Sequence, residues 1–304
     1  MKVTKINNLK TNFNQEKKPL IAIWGFFDGW HLGHQMLLKQ MQDLAKQQHY
    51  QTLVVSFDVK PQNVLLNKNE PILLSNQDKQ QFLSNQQVDY YCELKFSHEL
   101  ASSSAEEFIN WLVANNVQAV VSAKDIHFGA KGQGNLATLQ NSPLKVFISQ
   151  DVFDENNKKV SSSYIKELIV SKNITHANKL LNRDGYTVTG TVVHGIKEGR
   201  ALGFPTANLA LSDNYVVPGV AVYISQTEVD GKWHQSMTVV VLRDGKLLVE
   251  SYLLNFDQDI YDKVIKVRFL SYLRDSVAFD SKKALIEQIN QDLVQTITYF
   301  KNAT

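Results

Sequence analysis

A change of pattern near Asp184 constrains this chain more than any other feature. Before it, short apolar runs at residues 19–24, 53–57, 88–94, 117–122 and 144–149 alternate with helical spacing at 34–48, 76–85 and 105–115. Such alternation predicts a parallel sheet covered by helices, because joining two parallel strands takes a crossover long enough to hold a helix. Ser104 and Glu107 predict a capping box at the third of these helices. After residue 186 the strand-like segments follow one another with no helix between them, at 186–194, 220–229, 232–242, 246–256 and 264–272. Strand after strand predicts a small antiparallel barrel, with Asp230-Gly231 and Asp244-Gly245 as tight hairpin turns. A last helix, 281–300, puts Leu285, Ile289, Leu293, Ile297 and Phe300 on one stripe. Two domains are therefore expected, 1–184 and 185–304, and 304 residues suffice for two cores.

The densest local signal is Trp24-Gly25-Phe26-Phe27-Asp28-Gly29-Trp30-His31-Leu32-Gly33-His34. It joins the apolar run 19–24 to a segment where Leu37, Leu38, Met41, Leu44 and Ala45 recur at helical spacing. The two histidines thus sit where a strand turns into a helix N-terminus, the place where free backbone N–H groups and the positive dipole end collect. Two solvated histidines would give the same pair of letters. A zinc site is disfavoured, since the one cysteine is Cys92 and no third ligand adjoins. Strand, glycine, Asp-Gly turn, histidines and helix together point to nucleotide phosphate.

Hydrophobic content of 43%, charged content of 20% and a net charge of +2 describe a globular protein with no electrostatic case for nucleic acid or a membrane surface. One cysteine excludes an internal disulfide and suits a reducing, cytoplasmic setting. The polar start, 1–18, and the short apolar run after it form neither a signal peptide nor a membrane span.

Three further stretches can carry chemistry. Lys124-Asp125-Ile126-His127-Phe128-Gly129 leads into a glycine-rich run ending at Gly134, which reads either as a surface loop or as a loop near nucleotide with Lys131 toward phosphate. Ser161-Ser162-Ser163-Tyr164-Ile165-Lys166 precedes a helix at 165–171; its serines are caps or triphosphate contacts. Residues 195–208, Gly-Ile-Lys-Glu-Gly-Arg-Ala-Leu-Gly-Phe-Pro-Thr-Ala-Asn, form a long barrel loop whose glycines at 195, 199 and 203 admit close approach of a ligand, with Lys197 and Arg200 adding positive charge. The Gly-Lys-Ser/Thr ending of a Walker loop is absent.

Phe27-Asp28-Gly29 with His31-Leu32-Gly33-His34, and Gly-Arg-Ala-Leu-Gly-Phe-Pro-Thr-Ala-Asn at 199–208, resemble the signatures of the prokaryotic bifunctional riboflavin kinase/FMN adenylyltransferase family, over residues 18–300. The resemblance implies an α/β fold: a Rossmann-like nucleotidyltransferase domain with a parallel sheet, then a riboflavin-kinase-type barrel with a terminal helix. It implies ATP, riboflavin and FMN as substrates, Mg²⁺ as cofactor, and no nucleic acid or membrane partner; oligomeric state stays open. His31, His34 and Glu250 would be catalytic. Gly25, Phe27, Asp28, Gly33, Asp125, Gly129, Ser162, Ser163, Lys166, Gly195, Lys197, Arg200 and Gly203 would bind nucleotide. Asp58, Phe128 and Arg274 would face flavin, and Thr206 and Asn208 the metal. The chain departs from the family at Phe26, usually asparagine, at Val59-Lys60, usually proline-histidine, at Ala123 and at Ala221, and 239–245 lacks an arginine-proline-threonine turn. Two alternatives are a riboflavin kinase with a vestigial adenylation domain and a non-catalytic flavin sensor.

Overall fold

The structure is a computed structural model and describes residues 1–14, 18–195, 199 and 202–302. It divides into two compact units, Met1–Glu70 with Leu74–Ser161, and Pro71–Leu73 with Ser162–Thr304. The helices between Ser161 and the pattern change at Asp184 group with the second unit.

The first unit is built on six strands: β1 (Lys2–Ile6), β2 (Leu20–Trp24), β3 (Gln51–Phe57), β4 (Tyr90–Leu94), β5 (Val117–Ser122) and β6 (Lys145–Ile148). They lie in the order 1-4-3-2-5-6, and every pair is parallel. Around them run α1 (Leu32–Gln48), α2 (Pro61–Leu65), α3 (Asn76–Asn85), α4 (His98–Ser102), α5 (Ala105–Ala114) and α6 (Leu136–Gln140). All five residues of β2 are buried. Leu20, Ala22 and Trp24 feed one core with Phe108, Trp111 and Phe128, while Ile21 and Ile23 feed another with Trp30, Leu38 and Met41. A strand covered on both faces has no polar side, which is why this one reads as a solid apolar run. The capping box of α5 forms as expected, Ser104 Oγ accepting from Glu107 N and Glu107 answering to Ser104 N.

Strand β1 corrects the sequence reading, which left the N-terminus as a polar segment. It adds at the sheet edge, Lys2 opposite Tyr90, and buries only Ile6 fully. An edge strand with one neighbour and little burial leaves almost no pattern. The strand order also reverses at β2: chain growth runs outward through β3 and β4, then returns to β5 on the other side. The carboxyl ends of β2 and β5 thus flank the point where such sheets open a crevice.

The second unit contains α7 (Ser162–Val170), α8 (Ile174–Leu181), strands β7 (Tyr186–Val193), β8 (Ala207–Leu211), β9 (Ala221–Val229), β10 (Lys232–Arg243), β11 (Lys246–Leu253) and β12 (Val264–Asp275), and a final helix, α9 (Lys282–Asn302). The strands close into an antiparallel barrel in the order β10-β11-β8-β7-β12-β9. The barrel therefore has six strands where the sequence reading had five; β8 is the end of the stretch taken as loop. Both Asp-Gly turns adopt left-handed backbone at each residue, φ 51° and 80° at Asp230-Gly231 and 50° and 72° at Asp244-Gly245. That is the conformation a two-residue hairpin requires.

The barrel interior is partly polar. Ser225, Thr227, Ser236, Thr238 and Ser251 are fully buried and bond one another at 2.7–3.0 Å. Hydroxyls donate and accept, so a closed ring of them satisfies itself without water. Asn178 ties α8 to the barrel: its amide donates to Phe269 O at 2.9 Å and its oxygen accepts from Tyr186 N at 2.7 Å. On α9 the expected apolar stripe is only part-buried. The residues at the centre of the seam are Asp292 and Thr296, because Asp292 answers a guanidinium described below.

Candidate functional site

In the first unit the turn after β2 is held in a shape its side chains do not favour. Phe27, Gly29 and Trp30 all have positive φ, at 51°, 86° and 44°. For two aromatic residues this is strained backbone, of order 1–3 kcal/mol each, which persists only where the surroundings fix it. The surroundings here are aromatic: the Phe27 and Trp30 rings stack at 4.5 Å, Trp30 stacks on Phe82 at 5.5 Å, and the edge of His34 meets Phe27 at 5.2 Å. Phe27 is 4% exposed, so its ring supports the histidines from behind. Asp28 is also buried.

His31 caps α1 with extended backbone, and His34 lies one turn on; their rings stack 3.7 Å apart. Burial, the neighbouring His31 and the charge of Lys79 hold His34 well below the ordinary histidine pKa, so it is a neutral imidazole. Its Nδ1 is buried and has no hydrogen-bond partner among the described residues. A ring nitrogen in that state costs stability unless a ligand completes it. Gly33 passes close under the pair: a Cβ there would meet the His31 ring at 3.1 Å.

The other expected residues of this unit have partners within the protein. Asp58 Oδ1 accepts from Phe96 N at 2.8 Å. Asp125 pairs with Lys159 at 2.8 Å, which holds its carboxyl below the usual range. Phe128, expected at flavin, is 8% exposed in the core and meets Trp24 and Phe108 with its ring. Gly129 has φ +71°, and a Cβ there would stand 2.5 Å from Ala105 N; it lets the loop lie against the start of α5. Gly25 N donates to Val55 O at 3.1 Å, ending the β2–β3 pairing. Lys60 is paired with Glu70.

Sequence reading missed Lys79. It is 1% exposed on α3, donates to Phe26 O at 3.2 Å and sits 3.9 Å from the centre of the Phe26 ring. A signal was present: Lys79, Phe82 and Leu83 share one face by helical spacing, which puts a charge in a core stripe.

In the second unit, register pairs Asn208 of β8 directly with Glu250 of β11. Their neighbours Leu209, Val249 and Ser251 are buried and fill the barrel, so alternation puts Asn208 and Glu250 side by side on the outer face. Glu250 is 16% exposed, with Arg243 Nη1 3.8 Å from its carboxylate. Two glycines pack against the same row. A Cβ on Gly195 would stand 2.5 Å from the Asn208 amide, and one on Gly199 would stand 2.5 Å from Phe204 O and 3.4 Å from Thr206 Oγ1. Thr206 also lines a cavity of about 120 Å³ with Val192, Pro205, Leu253, Phe256 and Tyr261. Gly203 turns with φ +87°. Lys197 and Arg200 lie outside the described residues.

Ser162, Ser163 and Lys166 form the first turns of α7, which starts three residues earlier than the spacing suggested, and Lys166 Nζ donates to Pro71 O at 2.5 Å. Arg274 is held by Asp292: its Nε and Nη2 donate to the carboxylate at 2.8 and 2.6 Å. Among the described residues no cluster of three or more His, Cys, Asp or Glu can hold a metal ion, and no helix is long and apolar enough to cross a membrane.

Family models match both units in order, FAD synthetase over residues 13–164 and riboflavin kinase over 182–300. The chain is 34% identical to a bifunctional riboflavin kinase/FMN adenylyltransferase of Listeria monocytogenes, covering 91% of each chain. It is 31% identical to the protein of the same description from Bacillus subtilis, covering 99% of each. A crystal structure described as that of a macrolide-efflux protein from Streptococcus pneumoniae matches with a TM-score of 0.88 at 30% identity, covering 97% of this chain and 99% of the other.

Proposed function

The chain belongs to the bifunctional riboflavin kinase/FMN adenylyltransferase family, and we propose how its residues divide that work. It is a transferase with two activities: it phosphorylates riboflavin to FMN, and it adenylates FMN to FAD. The observation that carries the reading is that each unit has its own constellation suited to phosphate, the stacked His31–His34 pair at a helix start and the Asn208–Glu250 row on the barrel.

In the kinase step Glu250 takes the proton of the ribityl 5′-hydroxyl as that oxygen bonds to the γ-phosphorus and ADP leaves. The cavity beside Thr206, lined by apolar side chains and by Asp257, Gln258 and Asp259, offers both stacking surface and hydrogen-bond acceptors to a nucleotide base. Thr206 and Asn208 are neutral donors, and the glycines beside them leave room that a Cβ would fill. That set fits Mg²⁺, which takes its charge from phosphates. Bound there with nucleotide, Mg²⁺ would neutralise the charge of the transferred phosphoryl group.

In the adenylation step an FMN phosphate oxygen bonds to the α-phosphorus of ATP, and the bond to the β-phosphate breaks to release pyrophosphate. His31, His34 and the free N–H groups of α1 would hydrogen-bond the α-phosphate. His34 is neutral, so it acts as a donor from a fixed ring and the positive potential comes from the helix start and Lys79. We assign adenylation to residues 1–184 and phosphorylation to 185–304, with Asp28, Gly33 and Asp125 toward the first nucleotide and Gly195, Lys197, Arg200 and Gly203 toward the second. Both reactions use small soluble substrates and fit the cytoplasm.

The test is to incubate the protein with riboflavin, ATP and Mg²⁺ and to separate the flavins. FMN and FAD together are expected. FMN alone reduces the first unit to a vestige, and neither product overturns the assignment.

A further inference from the structure

A lysine ammonium is seldom buried, because removing it from water costs several kcal/mol unless partners repay the loss. Lys79 is 1% exposed, and carboxylates on three other elements act on its charge. Asp28 faces it from the turn after β2 and Asp58 from the end of β3. Glu93 faces it from β4 and is itself paired with Lys5 of β1 at 2.9 Å. His34 of α1 senses its charge. On its own helix, Asp78 is occupied with the cap Ser75 at 2.7 Å.

The hydrogen bond that Lys79 makes is to a backbone carbonyl, that of Phe26, at 3.2 Å. Ser56 Oγ donates to the same oxygen at 3.4 Å. This carbonyl belongs to the peptide that enters Phe27, the first residue of the turn with positive φ. A strained turn relaxes by rotating its peptides, and two donors on this one oppose that rotation. The ammonium also rests on the Phe26 ring at 3.9 Å, so the side chain and the carbonyl of one residue are held together. Downstream of this clamp, within eight residues, stand Asp28, His31 and His34.

We propose that Lys79 is a positioning residue of the adenylation step: its ammonium clamps the Phe26 carbonyl, which fixes the turn carrying Asp28, His31 and His34. The proposal rests on assigning adenylation to the first unit. Burial lowers Lys79 to about 8, against the pull of Asp28, Glu93 and Asp58. The clamp therefore has its charge below that pH and loses it above.

The experiment uses the full chain, with FMN and ATP supplied directly, from pH 6 to 9.5. The wild type should show an alkaline fall in the kcat for FAD formation centred near pH 8. Lys79→Met should lower kcat by roughly 10- to 100-fold, the scale of a small misplacement of catalytic groups, with KM for ATP little changed and the alkaline fall abolished. Lys79→Arg should restore most of the rate and carry the fall beyond the range. FMN formation from riboflavin should be unchanged in both. A folded Lys79→Met with wild-type kcat and pH profile overturns the proposal, as does a wild-type profile flat between pH 7 and 9. If Lys79→Met does not fold, the wild-type profile and Lys79→Arg still decide. If the wild type makes no FAD at any FMN or Mg²⁺ concentration, the adenylation reading itself fails, whereas wild-type FAD formation with an unaffected Lys79→Met overturns the Lys79 assignment alone.

Discussion

Replacing Asp292 by asparagine tests what Arg274 is for. Asp292 is 1% exposed on α9 and receives Arg274 Nε at 2.8 Å, Arg274 Nη2 at 2.6 Å and Gln288 Nε2 at 2.9 Å. Arg274 spends its remaining arm on Asp275 O at 2.8 Å. The substitution keeps the shape, but it removes the negative charge and turns an amide NH₂ toward a guanidinium donor. A hydrogen bond to a charged group contributes about 1.5–3 kcal/mol, and a buried pair broken on one side costs about 3–5 kcal/mol. The guanidinium is 22% exposed and recovers some hydration, so the expected loss is roughly 2–4 kcal/mol. Read by amide hydrogen exchange in β12 and α9, that is a loss of protection of roughly 30- to 800-fold. The double variant Arg274→Met/Asp292→Leu should recover most of it, because apolar groups of similar volume leave no buried charge behind. A change under about threefold in Asp292→Asn, or a double variant no better than the sum of the singles, refutes the reasoning. The stable double variant also answers the functional question. Unchanged KM for riboflavin makes Arg274 a structural tie between β12 and α9. A tenfold rise returns it to the flavin, as the family resemblance implies.

Glu250→Gln should lower FMN formation by roughly 10²- to 10⁴-fold with little change in nucleotide affinity; an unchanged rate in a flavin-separation assay removes Glu250 from the chemistry. His31→Ala should lower FAD formation by roughly 10²- to 10³-fold, the scale for losing one oriented donor, and leave FMN formation intact; equal losses in both steps would mean that the two activities are not separable. A fragment of residues 162–304 should fold and make FMN, whereas one beginning at 185 should melt lower, because it deletes Asn178 and strands Tyr186 N and Phe269 O inside the fold. Equal melting temperatures would show that α8 contributes nothing to the barrel.

The succession of a parallel α/β part and an antiparallel barrel with a terminal helix was legible in the sequence, and so were the turn–helix junction at His31–His34, the α5 capping box and both Asp-Gly hairpins. Each of these is local. A capping box spans four residues and a hairpin turn two, so the residues that make the structure are also those that announce it. The motif 199–208 was legible by likeness, although its last residues proved to be strand β8.

What the tertiary structure alone decided involves partners far apart in the chain. Strand β1 exists because β4, some ninety residues on, offers it a free edge. Phe128 meets the ring of Trp24, which no window around either residue names. Nothing near residue 274 names Asp292 as the partner of its arginine. Helical spacing sets Lys79 on the face of Phe82 and Leu83, but it does not say what the charge meets there. Lys79 becomes a buried cation against a strained turn only when Phe26, fifty-three positions earlier, arrives beside it. Local propensity can place a turn or a cap, but burial and charge pairing are properties of the assembled neighbourhood, and no short window of sequence contains that neighbourhood.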